Sequence, residues 1–529
     1  MRFEHLAADL FGLDSLTRAA LSGRLESDGV ATRAAAVPPL ADLFLPSERA
    51  RLAAVLEAKA TAYAPHVNAL DSIRTLKQPG ACCVVSEAAP AILAGPLQQM
   101  FGALQTIAAA RKLSTDECPV VPVLWVRSDE HETKSLSTGR VMNRHHVLQN
   151  VCLEAICQGT TPVAHIALAE KQHSLGALRE VLRQLYGDFA HIEWAIDILT
   201  PRPGESLPQA FIRGMYELCG PLGLILIEPQ DLREELSQAC AVHLSEPLLR
   251  SVRETHGQLA KEHSVLRPAN APWFFHLRNG ERQVLGAEGD TFRFENEPGS
   301  RTPLELAAEI VQSPSMWHPA HLTESLARSA ALPVIAEVGK RKELERHMLL
   351  LPARLAFGWP QPAFIACVQS TLVDSHSSTS LHKLDITVED VLGSQGQLDP
   401  HHSVPQAGPV LDAIEKIARD ARTALKEQKK AVLEIGPTLK PALRTATREL
   451  TSALANLSTK VSHVAANRGG KLNSHRRRLC NSLCPDGKAQ ATGLNPFPWL
   501  AREGPGWLGD YCRELDPFSS EHLVVHLAE

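Results

Sequence analysis

No run of about 18 apolar residues occurs in this chain, so no segment is expected to cross a membrane as a helix. The opening stretch, M-R-F-E-H-L-A-A-D-L, lacks the uninterrupted apolar core of a signal peptide. C-x-x-C is absent, and the 11 cysteines are odd in number and scattered. A disulfide framework would need regular pairing, so a reduced cytoplasm is the expected setting. Neither G-x-G-x-x-G nor a Walker A loop occurs, which removes the usual glycine-rich phosphate cradles. Aromatic residues are few, at 5%, and none falls between 407 and 484, where basic residues gather. Without bases to stack on aromatic rings, that segment is not expected to bind nucleic acid.

What is present is an ordinary globular composition, 44% hydrophobic and 21% charged, in a chain of 529 residues. That length suggests one large domain with additions. The stretch from Ala81 to Thr138 organises the rest. Cys82 to Val85 and Val120 to Val126 are short apolar runs, as expected for strands covered on both faces. Between them, Leu97, Phe101, Leu104, Ile107 and Ala108 recur at helical spacing, predicting one helix face against the sheet. This is a βαβ crossover, and in open α/β sheets ligands bind beyond the carboxyl ends of the strands.

Residues 1–80 read as helices, with a helix start at Pro46-Ser47-Glu48-Arg49 inside the pattern from Leu40 to Tyr63. Further strands are expected at Val163 to Ala167, Glu193 to Leu199, Leu222 to Ile227, Val334 to Val338 and Ala363 to Val368. Helices are expected near Leu175 to Tyr186, Leu207 to Leu218 and Arg341 to Leu351. This alternation predicts a largely parallel sheet with helices on both faces. A long helix at Leu244 to Val265 leaves the pattern. A hairpin with an Asn279-Gly280 turn and a third strand at D-T-F-R-F follow it, giving a mixed insertion over about 244–310. Residues 370–408, rich in Ser, His, Gly and Pro, read as an exposed connector with one short helix.

From Pro409 narrow apolar seams run along two long helices, broken at Gly436-Pro437, and predict an antiparallel coiled-coil hairpin. Residues 407–484 carry 15 Lys/Arg against 6 Asp/Glu. A solvated face accounts for that charge, while small residues such as Ala413, Ala424 and Ala431 leave room for a homodimer through the hairpin. Cys480-x-x-x-Cys484 puts two thiols on one helical face, open to a metal or a redox reading. The pairs His145-His146 and His401-His402 are expected at the surface.

Two segments should lie at strand ends. Asp129-Glu130-His131-Glu132 suits a general base or proton shuttle, with the carboxylates expected to raise the His131 pKa. A solvated acidic turn is the competing reading. No second histidine stands at ligand spacing, so no metal site is read there. The loop from Ser86 to Leu97 enters a helix through Gly95-Pro96, which fits either anion binding by helical N–H groups or simple capping.

The same residues resemble the BshC family of bacillithiol biosynthesis, described as cysteine ligases. That family has V-(T/S)-G-Q-Q-P-x-L-x-x-G-P-L after one strand and W-(V/I)-A-x-E-D-H-D after the next. Here Ser86, Pro90, Gly95, Pro96, Leu97, Trp125, Val126 and His131 match, and Asp129, Glu130 and Glu132 keep the acidity. Later landmarks follow in order: G-P-L-G-L-I-L-I-E-P-Q-D at 220–231, L-P-V-I-A-E-V-G-K-R-K-E-L at 332–344 and P-D-G-K-A-Q-A-T-G-L-N-P-F-P-W-L at 485–500. The chain departs where the family's Gly-Gln-Gln becomes Glu87-Ala88-Ala89 and its Arg-Pro becomes Glu324-Ser325. Its second glycine after V-G becomes Lys340, and its Gln-Glu-Arg becomes Gln490-Ala491-Thr492.

The resemblance implies an α/β fold, with a Rossmann-like, largely parallel core over 1–395. It also implies inserted connecting segments, a helical coiled-coil hairpin over 396–484 and a C-terminal segment, 485–529, returning to the core. It implies a ligase that joins cysteine to glucosaminyl malate through an amide bond, with ATP as cosubstrate. Catalysis would fall to His131 with Asp129, Glu130 and Glu132. Substrate binding would fall to Ser86, Gly95, Pro96, Trp125, Glu228, Gly339, Glu343, Gln490 and Asn495. Two alternatives remain beside it: a family member that has lost catalysis and binds or scaffolds, and a coiled-coil interaction protein with a structural α/β part.

Overall fold

The computed structural model describes residues 1–7, 10, 13–38, 44–153, 162–166, 168, 172–265, 271–278, 281–295, 297–398 and 407–527. Its centre is a six-stranded, wholly parallel sheet. Across it the strands run Val30–Ala31, Ala363–Ala366, Val334–Gly339, Cys82–Ala88, Val120–Val126 and Ile225–Ile227. From Cys82–Ala88 the chain moves outward through Val120–Val126 to Ile225–Ile227, then returns to lay Val334–Gly339 on the opposite side. The order therefore reverses between Cys82–Ala88 and Val334–Gly339, and a crevice opens at their carboxyl ends. All seven residues of Val120–Val126 are buried, the expected state of a strand covered on both faces.

The helix Leu97–Leu113 is buried around most of its circumference, not on one face alone. Its second side is covered by Trp507–Glu514, where Phe101 stacks on Tyr511 at 5.2 Å between ring centroids and Cys512 Sγ donates to the Leu104 carbonyl at 3.5 Å. The C-terminal segment thus returns to the core as a layer over this helix.

Several local expectations change. Glu193 to Leu199 belongs to a helix, Ile192–Leu199, that buries Ile192, Ala195, Ile196 and Leu199. A short apolar run fits either period, and here the three- and four-residue spacing wins. Val163–His165 is a 3₁₀ turn, and Ala167 lies outside the described residues. The first 80 residues are not helices alone. Arg2–Leu6 is a strand that pairs antiparallel with His522–His526, and Val30–Ala31 is an edge of the parallel sheet. The segment after 370 is no exposed connector: Ser370–Val373 is a fully buried strand paired with His522–His526. The helices Ser375–Leu384 and Val388–Gly393 follow it. Residues 370–393 pack against the base of the helical hairpin through Val373, Leu381, Val391, Leu479 and Leu483.

The insertion holds the helix Glu246–Glu262, capped by Ser245, and an antiparallel sheet. Pro272–Arg278 pairs with Glu281–Glu288 so that Arg278 faces Glu281; the Asn279-Gly280 turn between them lies outside the described residues. Thr291–Phe294 and Trp317–Pro319 complete this sheet on its two edges. The coiled coil consists of Ala407–Glu427 and Lys429–Ile435 running against Lys440–Leu483, with the break at Gly436-Pro437. Among the described residues no helix is long and apolar enough to cross a membrane.

Candidate active site

A cavity of about 430 Å³ opens at the carboxyl end of the parallel sheet, beneath the antiparallel insertion. Its floor comes from Arg127, Asp129, Glu130 and His131 just past Val120–Val126, and from Lys342, Glu343 and Arg346 on the helix Arg341–Phe357. Phe275 and Arg282 from the insertion close one side; His321 and Glu324 from the helix His321–Ala331 close another. Both signs of charge line it.

All four residues of Asp129-Glu130-His131-Glu132 border this space. Asp129 is tied down rather than free: Arg233 Nη2 lies 2.5 Å from its Oδ2 and His318 Nδ1 lies 3.3 Å away. Burial works against its charge, yet Arg233 and His318 hold the carboxyl far below its ordinary range. Glu130 is likewise kept low against burial, chiefly by Arg127. Arg282 reaches into the cluster. Its guanidinium lies 3.4 Å from the centroid of the Phe275 ring, donates to the Asp129 carbonyl, and donates to His131 Nδ1 at 2.9 Å.

Contrary to expectation, the His131 pKa moves down. Burial and the Arg282 charge outweigh Glu130 and Glu132. With Nδ1 accepting from Arg282, the neutral ring carries its proton on Nε2, so His131 presents a donor to the cavity.

Beneath the cavity lies a buried charge network. Glu87, at the end of its strand, takes Arg328 at 2.8 Å and Arg346 at 2.6 Å, both on Oε1. Glu337 pairs with Arg328 and lies 3.5 Å from Arg346, and Ser325 donates to it at 3.0 Å. Glu324 accepts a 2.7 Å bond from the Trp125 indole N–H. Burial first, then the nearby Glu87, pushes the Glu324 pKa up.

The remaining sequence candidates fall elsewhere. Ser86 is buried within its strand. Glu343 lines the cavity and also accepts from the Lys340 N–H at 3.0 Å. Gly339 sits where a Cβ would come 2.6 Å from Glu343 Cβ and 2.8 Å from the Phe364 ring, so its lack of a side chain is a packing requirement. Gly95 and Pro96 face the C-terminal segment, where the Leu97 N–H bonds to the Leu494 carbonyl at 2.8 Å. Asn495 lies beside them, joined to the Arg140 carbonyl at 3.1 Å. Gln490 spends its amide on backbone groups: it accepts from the Leu372 N–H and donates to the Leu372 and Ser482 carbonyls. Glu228 is buried at the end of Ile225–Ile227, outside the cavity lining, with its pKa raised to about 7 by burial and by Asp231. Nor is His146 at the surface; it is buried, 3.6 Å from Asp374. His401 and His402 lie outside the described residues.

Arg127, Arg282, His321 and Arg346 went unread in the sequence. Arg282 has no local signal, being a strand residue on a hairpin. The spacing of His321, Glu324 and Arg328 does put three polar groups on one side of a helix, which is a usable hint.

Two family models match the chain. One is described as "Bacillithiol biosynthesis BshC, N-terminal Rossmann-like domain" and covers residues 40–365; the other, "Bacillithiol biosynthesis BshC, C-terminal coiled-coil domain", covers residues 370–527. A protein of Chlorobaculum tepidum named "Putative cysteine ligase BshC" is 24% identical over 483 residues, which span 86% of this chain and 84% of that one. One of the same name from Koribacter versatilis is 24% identical over 505 residues, spanning 92% and 91%.

Proposed function

From the premise that this chain belongs to the BshC family, we propose that it is a cysteine ligase joining cysteine to glucosaminyl malate by an amide bond, the last step of bacillithiol biosynthesis. The observation that carries this reading is the cavity at the sheet's reversal point, lined by Arg127, Arg282, Lys342 and Arg346 together with Glu130, Glu324 and Glu343. Carboxylates in this lining suit an ammonium group, and the guanidinium groups suit carboxylates of cysteine and of the malate. ATP would convert the cysteine carboxylate to an acyl phosphate or acyl adenylate, the acceptor amine would attack that carbonyl and expel phosphate or AMP as the amide forms, and the amine's lost proton would leave through the polar cluster. His131, with its proton on Nε2, would donate to oxygen as negative charge develops there.

The test is purified full-length protein incubated with glucosaminyl malate, cysteine and ATP, with the new thiol and the nucleotide product followed by mass spectrometry. Product formation dependent on all three supports the ligase; its absence favours the second reading, a member that binds without turning over. That reading has its own observation. Glu87, beneath the cavity, is locked onto Arg328 and Arg346, so its charge and theirs are already engaged with one another.

A further inference from the structure

Glu87, His321 and Glu324 come together in the wall between the cavity and the buried network. One donor atom from each lies within 4.8 Å of the others. The spacing is local and tertiary at once: His321 and Glu324 stand three apart on one side of their helix, and Glu87 is the penultimate residue of the strand Cys82–Ala88. We propose that these three side chains form a binding site for a divalent, zinc-class cation open to the cavity.

The first support is the way Glu87 is used. Arg328 and Arg346 both crowd onto Oε1, while Oε2 is buried and accepts no hydrogen bond. The side chain is only 6% exposed, so water does not solvate that oxygen. A buried carboxylate oxygen left bare is costly, and a cation is the partner that removes the cost. The second support is the donor set. One imidazole and two carboxylates supply three N and O ligands of the kinds zinc accepts, the number that open sites use while leaving further positions for a substrate or water. His321 and Glu324 border the cavity, so those positions face the space where a substrate would sit. Third, Glu324 is oriented from behind by the Trp125 indole on its Oε1 at 2.7 Å, the kind of outer contact that fixes a ligating carboxylate.

Arg127 is the group an ion would displace. Its Nη1 lies 2.7 Å from His321 Nε2 and 3.4 Å from Nδ1. It has another partner to turn to, since the same nitrogen is 3.7 Å from Glu130 Oε2. The site does not rest on the ligase reading, and an inactive protein would bind the ion equally well.

The test uses full-length protein stripped with a chelator, titrated with Zn²⁺ alone and followed by equilibrium dialysis with metal analysis. One equivalent should bind to wild type and raise its melting temperature. The Glu324→Gln variant keeps an oxygen for Trp125, and His321→Asn keeps a polar group of smaller size. Even losing an outer contact costs about 10–100-fold in metal affinity, so losing a ligand should cost about 100-fold or more. Binding should also release protons and weaken as pH falls, because the ligands must be unprotonated. No stoichiometric binding to wild type overturns the site. So does one equivalent retained at wild-type affinity in either variant, which would assign the ion to other histidines or cysteines. If one variant melts too low to study, the other carries the assignment, and the absence of proton release and thermal stabilisation in wild type overturns the proposal.

Discussion

Arg346 Nη2 sits 2.6 Å from Glu87 Oε1, joining the helix that floors the cavity to the strand at the centre of the sheet. Both side chains are almost wholly buried. Ion pairs of this kind add little net stability compared with apolar packing, but breaking one strands a charge in a low-dielectric interior. Replacing Arg346 by Met should therefore destabilise the fold by about 3–5 kcal/mol, read as a lower urea midpoint. A loss under about 1 kcal/mol, the range of exposed pairs, would show that the network is solvated in solution.

Glu337 gives the same network a pH signature. Burial works to raise its pKa, but Arg328 and Arg346 prevail and bring it from 4.5 to about 2. A carboxyl depressed on folding contributes stability that is complete above its unfolded value and lost as pH falls through the folded one. Wild type should lose stability between pH 4.5 and about 2 more steeply than a Glu337→Gln variant. Equal slopes in acid denaturation would remove Glu337 from the account.

Glu228 has the opposite sign. Its pKa is raised from 4.5 to about 7, by burial first and Asp231 next, so the folded state holds a proton that the unfolded state releases. Stability should fall as pH rises through this window. Glu228→Gln should abolish that fall and make the protein more stable at pH 8, by at most about 3.5 kcal/mol at ~1.4 kcal/mol per pKa unit. A destabilised variant at pH 8 would point to an ionised, hydrogen-bonded carboxylate instead.

For His131, a ligase should lose about two to four orders of magnitude in turnover on change to Ala, the range for a positioned acid or base. Because burial and Arg282 lower the histidine pKa, the neutral ring persists below the ordinary imidazole value. The acidic limb of the rate profile, where it depends on this ring, should then lie below pH ~6.5, and Arg282→Ala should move it upward. An active enzyme unimpaired by the His131 change would end this assignment.

The coiled coil leaves apolar seam residues uncovered, with Ile417 at 56% exposure, Ile435 at 81% and Val464 at 63%. We expect these to be covered by a second copy of the chain. Light scattering should give twice the monomer mass for the full chain and the monomer mass after deletion of 409–482. A monomer in both cases would refute self-association by this route.

Sequence periodicity carried the central crossover and the coiled coil because each rests on spacing within one segment. Val120–Val126 is buried on both faces and reads as an unbroken apolar run, while the hairpin's seams repeat over many turns. Ile192–Leu199 misled because eight residues, mostly apolar, do not separate a period of two from one of 3.6. Asp129 and His131 were visible as a polar cluster past a strand, but the direction of the His131 shift was not. It depends on Arg282, brought over by an antiparallel hairpin more than a hundred residues later. The network of Glu87, Arg328, Glu337 and Arg346 was invisible for the same reason: its partners come from separate segments and meet only once the sheet has formed.

Arg2 and His526, paired in adjacent antiparallel strands, stand 524 residues apart in the chain. A ribosome adding about 5–20 residues per second needs roughly half a minute to two minutes to make that span. Throughout synthesis the opening strand must wait with its backbone donors and acceptors unpaired by the strand it will join. Its sequence, R-F-E-H-L, is suited to that wait, since three of its five residues are charged or polar and oppose pairing with other chains. The parallel sheet can assemble earlier, as its last strand ends at Ala366. Joining Arg2–Leu6 to His522–His526 therefore has to wait until every strand of the parallel sheet has been made.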